Sequence, residues 1–218
     1  MSALSFDELN AIQSAKELEE QYAADSNYER YFGEMDLSDE EKQKRISFAE
    51  KFEDSMLFIF ALYLVMKKYN RMNEKYLISQ VQSKYSEIVS EYMKKGRYMD
   101  DYIREFSKET IDVTKRHDEE EYFTSRERAI FLAENEANTS LNYGQYTDAL
   151  KKGYKKKIWI SERDKRVRTT HREVDGMGLP IERAFLVGDS LMNFPKDTSM
   201  GASSKEIIAC RCTIKYLK

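Results

Sequence analysis

The sequence predicts an α+β fold: a mainly helical N-terminal part over residues 1–150, then a small C-terminal α+β domain with a short antiparallel sheet over residues 151–218. Three observations predict it. Both prolines (Pro180, Pro195) and six of the eight glycines lie beyond position 143, so helix breakers are concentrated in the last third of the chain. Upstream, apolar residues recur in steps of three and four behind serine- or threonine-led start signals. Beyond Lys155 that period gives way to short β-branched and aromatic runs bounded by glycine or charge.

Ser5 and Glu8 form a capping box, with Leu4 and Leu9 placed as a hydrophobic staple, and predict a first helix from about Phe6 to Tyr31 that Gly33 ends. Ser38 and Glu41 repeat the box and open a second helix to about Tyr69, with Phe48, Phe52, Met56, Ile59, Tyr63 and Met66 as its inner stripe. The run from Met56 to Met66, flanked by Asp54 and Lys67, is too short to span a bilayer and predicts a buried core helix. No membrane contact is expected in the resting state.

After a turn at Asn70 to Asn73, Ile78, Val81, Tyr85, Ile88 and Tyr92 predict a third helix up to Gly96. Met99, Ile103, Phe106, Thr110 and Val113 predict a fourth, ending near the acidic run Asp118 to Glu121. Thr124 and Glu127 form another capping box, and Ile130, Ala133, Ala137 and Leu141 mark a fifth helix that stops at Gly144 as its C-cap. Together these helices form a bundle or a hairpin array, with the aromatic stripes as core.

The C-terminal part offers strands at Lys157 to Ile160, Ala184 to Val187 and Ile207 to Tyr216, and one or two helical turns at Thr169 to Val174. Trp159 is expected to anchor its core, Asp175-Gly176 to form a turn with left-handed glycine, and Pro195 to fix a loop. So few residues with so much charge would need the helices, a partner or a metal for support.

The net charge of −3 conceals an asymmetry. Residues 151–218 hold sixteen Lys and Arg against eight Asp and Glu, whereas residues 1–150 hold twenty against thirty-one. Lys151, Lys152, Lys155, Lys156 and Lys157 lead the basic block, which suits double-stranded DNA, an acidic protein surface or simply solvent. Two cysteines one residue apart make no disulfide framework, and no signal-peptide pattern opens the sequence, so a reducing cytoplasm is expected.

Unlike polar groups crowd the stretch from Trp159 to Gly176, and two chemistries are open there. Cys210, Cys212 and His171, with Asp164 or Asp175 as fourth ligand, could hold zinc; cysteines packed as small apolar residues are the alternative. His171 as proton carrier, oriented by Asp175 or Asp164 beside Arg166 and Arg168, is the set a metal-independent nuclease needs. The competing structural reading is that the arginines bridge the carboxylates around an interior His171. His117, in a charged stretch, is expected to be solvated.

The spacing W-x4-D-x-R-x-R-x-x-H-x-x-x-D-G (Trp159, Asp164, Arg166, Arg168, His171, Asp175, Gly176), followed by Phe185, Pro195 and Cys210-Arg211-Cys212, resembles the phage Mu protein F-like, or head morphogenesis, family of minor head proteins. Glu136, Asn142 and Gly144 extend the resemblance back to near residue 125. Ala209 stands where the family usually has Asn, and Met177 where a polar residue is common. The resemblance implies a structural protein of the virion interior, present in few copies, binding the portal protein, meeting other capsid proteins, touching packaged DNA, and passing through the host cytoplasm during assembly. That role requires no turnover and no cofactor, zinc remaining open. The alternatives are a nuclease-like effector with a barnase-like C-terminal domain using His171, Asp175, Arg166 and Arg168, and a zinc-stapled interaction module.

Overall fold

The computed structural model describes residues 28–218, so the Ser5 capping box and most of the first expected helix lie outside the described residues. The described helices are α1 (Tyr28–Gly33), α2 (Asp39–Lys68), α3 (Glu74–Tyr92), α4 (Arg97–Arg116), α5 (Arg126–Lys151), α6 (Thr169–Glu173) and α7 (Ser204–Ile207). The strands are β1 (Lys156–Ile160), β2 (Gly178–Pro180), β3 (Phe185–Val187), β4 (Ser190–Met192) and β5 (Thr213–Leu217). A helical chain that ends in a small antiparallel sheet is α+β, as the sequence predicts.

The described chain divides into two compact units, residues 48–91 with 95–133, and residues 28–47 with 92–94 and 134–218. Helices α2, α3 and α5 contribute residues to both.

In the first unit the apolar stripe of α2 buries Phe48, Phe52, Met56, Ile59 and Tyr63. Phe52 and Tyr85 pack edge to face with centroids 4.8 Å apart, and Phe106 joins Tyr85 at 5.3 Å. On α3 the buried stripe begins one residue earlier than expected, at Leu77, because Leu77, Val81, Tyr85 and Ile88 share one face. Arg128 is buried at the start of α5, where it donates to Thr114 Oγ1 and to the Thr110 carbonyl and lies over the Phe60 and Phe123 rings. Burial pulls its pKa down to about 10, with Tyr122 opposing the shift. His117 is partly exposed, with Nδ1 2.8 Å from Glu120 Oε1 and its ring stacked on Phe123.

Ser38 caps α2 as expected, its hydroxyl accepting from the Glu41 N–H at 3.3 Å. At α5 the cap is Ser125, whose hydroxyl accepts from the Arg128 N–H; Thr124 instead belongs to the preceding 3-10 turn, Glu121–Thr124.

A larger correction concerns Gly144, which lies inside α5 and does not end it. A Cβ at this position would lie 2.9 Å from Met93 Cε, so the glycine serves a close approach. The helix runs on to Lys151 and is closed by Gly153 (φ 71°), where the N–H groups of Gly153 and Tyr154 return to the carbonyls of Leu150 and Ala149. That pair of bonds is a Schellman motif.

In the second unit β1 is the centre of an antiparallel sheet ordered β2-β1-β5, with Trp159 opposite Ile214 and Lys157 opposite Tyr216. Strands β3 and β4 form a separate hairpin pairing Phe185 with Met192. The strand expected over Ile207 to Tyr216 is confined to Thr213–Leu217, because α7 and a left-handed Ala209 (φ 53°) occupy the segment before it. No helix among the described residues is long and apolar enough to cross a membrane.

Candidate functional site

One polar face of α5 holds the Cys-Arg-Cys segment and the Pro195-Lys196 loop. Asn135, Asn138 and Asn142 follow helical spacing and are all buried. Asn135 Oδ1 accepts from the Ala209 N–H (2.8 Å) and from Lys196 Nζ (2.6 Å). Asn138 Nδ2 donates to the Cys210 carbonyl at 2.9 Å, and Asn142 Nδ2 donates to the carbonyls of Cys212 and Pro195 at 3.2 and 3.3 Å. The Cys210 and Cys212 carbonyls are therefore satisfied by amide side chains.

Arg45 of α2 completes the arrangement. Fully buried, it donates Nε to Asn138 Oδ1 and Nη2 to Asn142 Oδ1, and pairs with Glu41. Burial pulls its pKa down to about 10, with Glu41 opposing the shift. Glu136 is buried, and its charge partly offsets the burial that lowers the pKa of Lys196.

Of the signature carboxylates, Asp164 pairs with Arg166 and Arg211, and Asp175 pairs with Arg163. Asp164 accepts from the Arg166 N–H and Nε and from Arg211 Nη2. Burial would raise its pKa, but these bonds, Arg211 foremost, hold it down to about 2. Arg166 and Arg211 also reach Glu34. Asp175 accepts from the Ser161 N–H at 2.8 Å and Arg163 Nε at 2.7 Å, and Gly176 takes φ 75° after it. Arg168 donates to the Ile208 carbonyl. Trp159 is fully buried with Phe185, centroids 5.3 Å apart, and packs edge-on against His171.

His171 is buried with Nδ1 3.3 Å from Cys212 Sγ and 3.6 Å from Cys210 Sγ, and Nε2 3.1 Å from Glu206 Oε2. Burial works against charge on the imidazole, but its hydrogen bond to Cys210 and the charge of that sulfur outweigh burial and raise its pKa. The Cys210 thiol is pulled down by hydrogen bonds from Cys212 and His171, against burial, while Cys212, whose proton serves Cys210, is pushed up.

Two expectations are therefore corrected. The carboxylate beside His171 is Glu206, because Asp164 and Asp175 are engaged by arginines and backbone N–H groups. Both ring nitrogens are also held inside the fold, which withholds His171 from a substrate; the nuclease set of His171, Asp175, Arg166 and Arg168 does not assemble around one accessible proton carrier.

Lys151, Lys152, Lys155 and Lys156 are exposed, but Lys157 is not. It points to the inner face of β1 with Trp159, donates to the Asn193 carbonyl at 2.7 Å, and lies over the Tyr146 and Phe185 rings. Strand alternation carries its charge away from solvent. Sequence reasoning also missed Arg45, Asn135, Asn138, Lys196 and Glu206. The spacing of Asn135, Asn138 and Asn142 is the one signal that could have revealed part of this set.

The family described as Phage Mu protein F like protein matches residues 83–215. No curated protein and no solved structure matches the chain.

Proposed function

The chain belongs to the Phage Mu protein F like family and is a phage head morphogenesis protein, and on that premise we propose that it is a minor head protein of the virion interior, bound to the portal and touching packaged DNA. The family match over residues 83–215 carries this reading. Arg45, Asn138, Asn142, Asp164 and Arg211 bond to one another and to the main chain, as a structural role requires. The role needs no turnover.

The acidic helical part offers surface to other head proteins, and the exposed Lys151, Lys152, Lys155 and Lys156 offer charge to phosphates. Lys215 adds to them. It pairs with Ile158, so it shares the outward face of the sheet with Lys156.

Co-expression with the portal protein of the same phage tests the portal contact. The two are expected to elute together in size-exclusion chromatography at moderate salt. Separate elution in every buffer in which both are folded would contradict portal binding.

A further inference from the structure

We propose that Cys210 Sγ, Cys212 Sγ and His171 Nδ1 bind one zinc ion, with a water held against Glu162 as the fourth ligand. The three donors are buried and lie within 4.8 Å of one another. In a tetrahedron with Zn–N about 2.0 Å and Zn–S about 2.3 Å, the nitrogen-to-sulfur edge is about 3.5 Å. The two edges here, 3.3 and 3.6 Å, bracket that value. A single imidazole N–H serves only one of two sulfurs well, whereas one cation serves both. Two thiolates also cancel the charge of a divalent ion in a buried site.

The surrounding groups suit a metal site. Glu206 Oε2 holds the far ring nitrogen of His171 and also accepts from Thr170 Oγ1 at 2.8 Å, the carboxylate support typical of a metal-bound histidine. Gly188 leaves room for that carboxylate, since a Cβ there would lie 2.8 Å from Glu206 Oε1. Glu162, His171, Cys210 and Cys212 line, together with Arg166, Arg168 and Arg211, a cavity of about 20 Å³, which suits one water. Glu162 lines this cavity and its Oε1 is buried with no hydrogen-bond partner, so a metal-bound water would have an acceptor in it. Bound metal would tie α6 to the Cys-Arg-Cys segment, adding a second fastening to the amides of α5. This inference stands whether or not the chain binds a portal.

The test titrates cobalt(II), as a probe for zinc, into the reduced, metal-free full chain and follows the visible and near-ultraviolet spectrum. One cobalt per chain is expected, with thiolate-to-metal charge-transfer absorption, displaced by one equivalent of zinc. Glu206→Gln should keep that absorption and lower affinity about 10- to 100-fold. Glu162→Gln should keep the stoichiometry and alter the ligand-field bands, and the Cys210→Ser/Cys212→Ser double variant should lose the charge-transfer band. No stoichiometric uptake by the reduced wild type, or uptake without a thiolate band, would overturn the proposal. The wild type alone decides it, so a misfolded variant does not obscure the result.

Discussion

Asn142 Nδ2 lies 3.2 Å from the carbonyl oxygen of Cys212, joining α5 to a segment seventy residues downstream. The same amide accepts from Arg45 through Oδ1, so a fully buried cation reaches the Cys-Arg-Cys main chain through one neutral side chain. Such a network has high stakes. When complete it specifies one packing, and when broken it strands several buried polar groups at once.

Ala209 holds φ 53°, a left-handed conformation that asparagine tolerates better than alanine. Ala209→Asn should keep the backbone bond to Asn135 and raise stability by about 0.5 to 1 kcal/mol. Thermal unfolding of the pair checks this, and an unchanged or lower melting temperature counts against the geometry.

Gly144 sits in a helix interior against a flexible methionine tip, so Gly144→Ala trades a helix-propensity gain of about 1 kcal/mol against a small shift of Met93. Alanine should leave stability within about 1 kcal/mol of wild type, while Gly144→Val should cost about 2 kcal/mol or more. Denaturation by urea measures both. A large loss with alanine would indicate the left-handed cap that the structure excludes.

Burial pulls the Lys157 pKa down to about 8, opposed by Asp197 and then Glu182. An unfolded chain keeps the ordinary lysine value near 10.4, so between about pH 8 and pH 10 the unfolded state binds more protons and stability rises with pH. Lys157→Met removes this dependence. The stability difference, wild type minus variant, should grow by about 1 to 3 kcal/mol from pH 7 to pH 10; a constant difference in urea midpoints would contradict the buried amine.

Charge reversal at Lys151, Lys155 and Lys156 should weaken duplex DNA binding by about tenfold or more at low salt and flatten its salt dependence. Fluorescence anisotropy at several salt concentrations reads both. Equal affinity for the variant would remove the DNA contact from the account.

Period and capping made the helices of the first unit legible, since Phe48, Phe52, Met56, Ile59 and Tyr63 repeat at helical spacing and are buried where that spacing places them. Trp159 as an anchor and Gly176 as a left-handed turn were likewise readable from residue type. The asparagine face of α5 was not, because buried amides look like solvent-facing residues until their backbone partners are known. Residues 207–212 read as the start of a strand from residue type, yet the Cys210 and Cys212 carbonyls bond to Asn138 and Asn142. Glu206 and Arg45 could not be found from local pattern, since each matters through a residue far along the chain.

Equilibrium urea unfolding of Asn142→Ala measures how far buried amides fasten the Cys-Arg-Cys segment to α5. Loss of this amide strands the Cys212 and Pro195 carbonyls and one face of Arg45, so a destabilisation of about 2 to 4 kcal/mol is expected. A change below about 0.5 kcal/mol, the size of an ordinary surface substitution, would contradict that fastening.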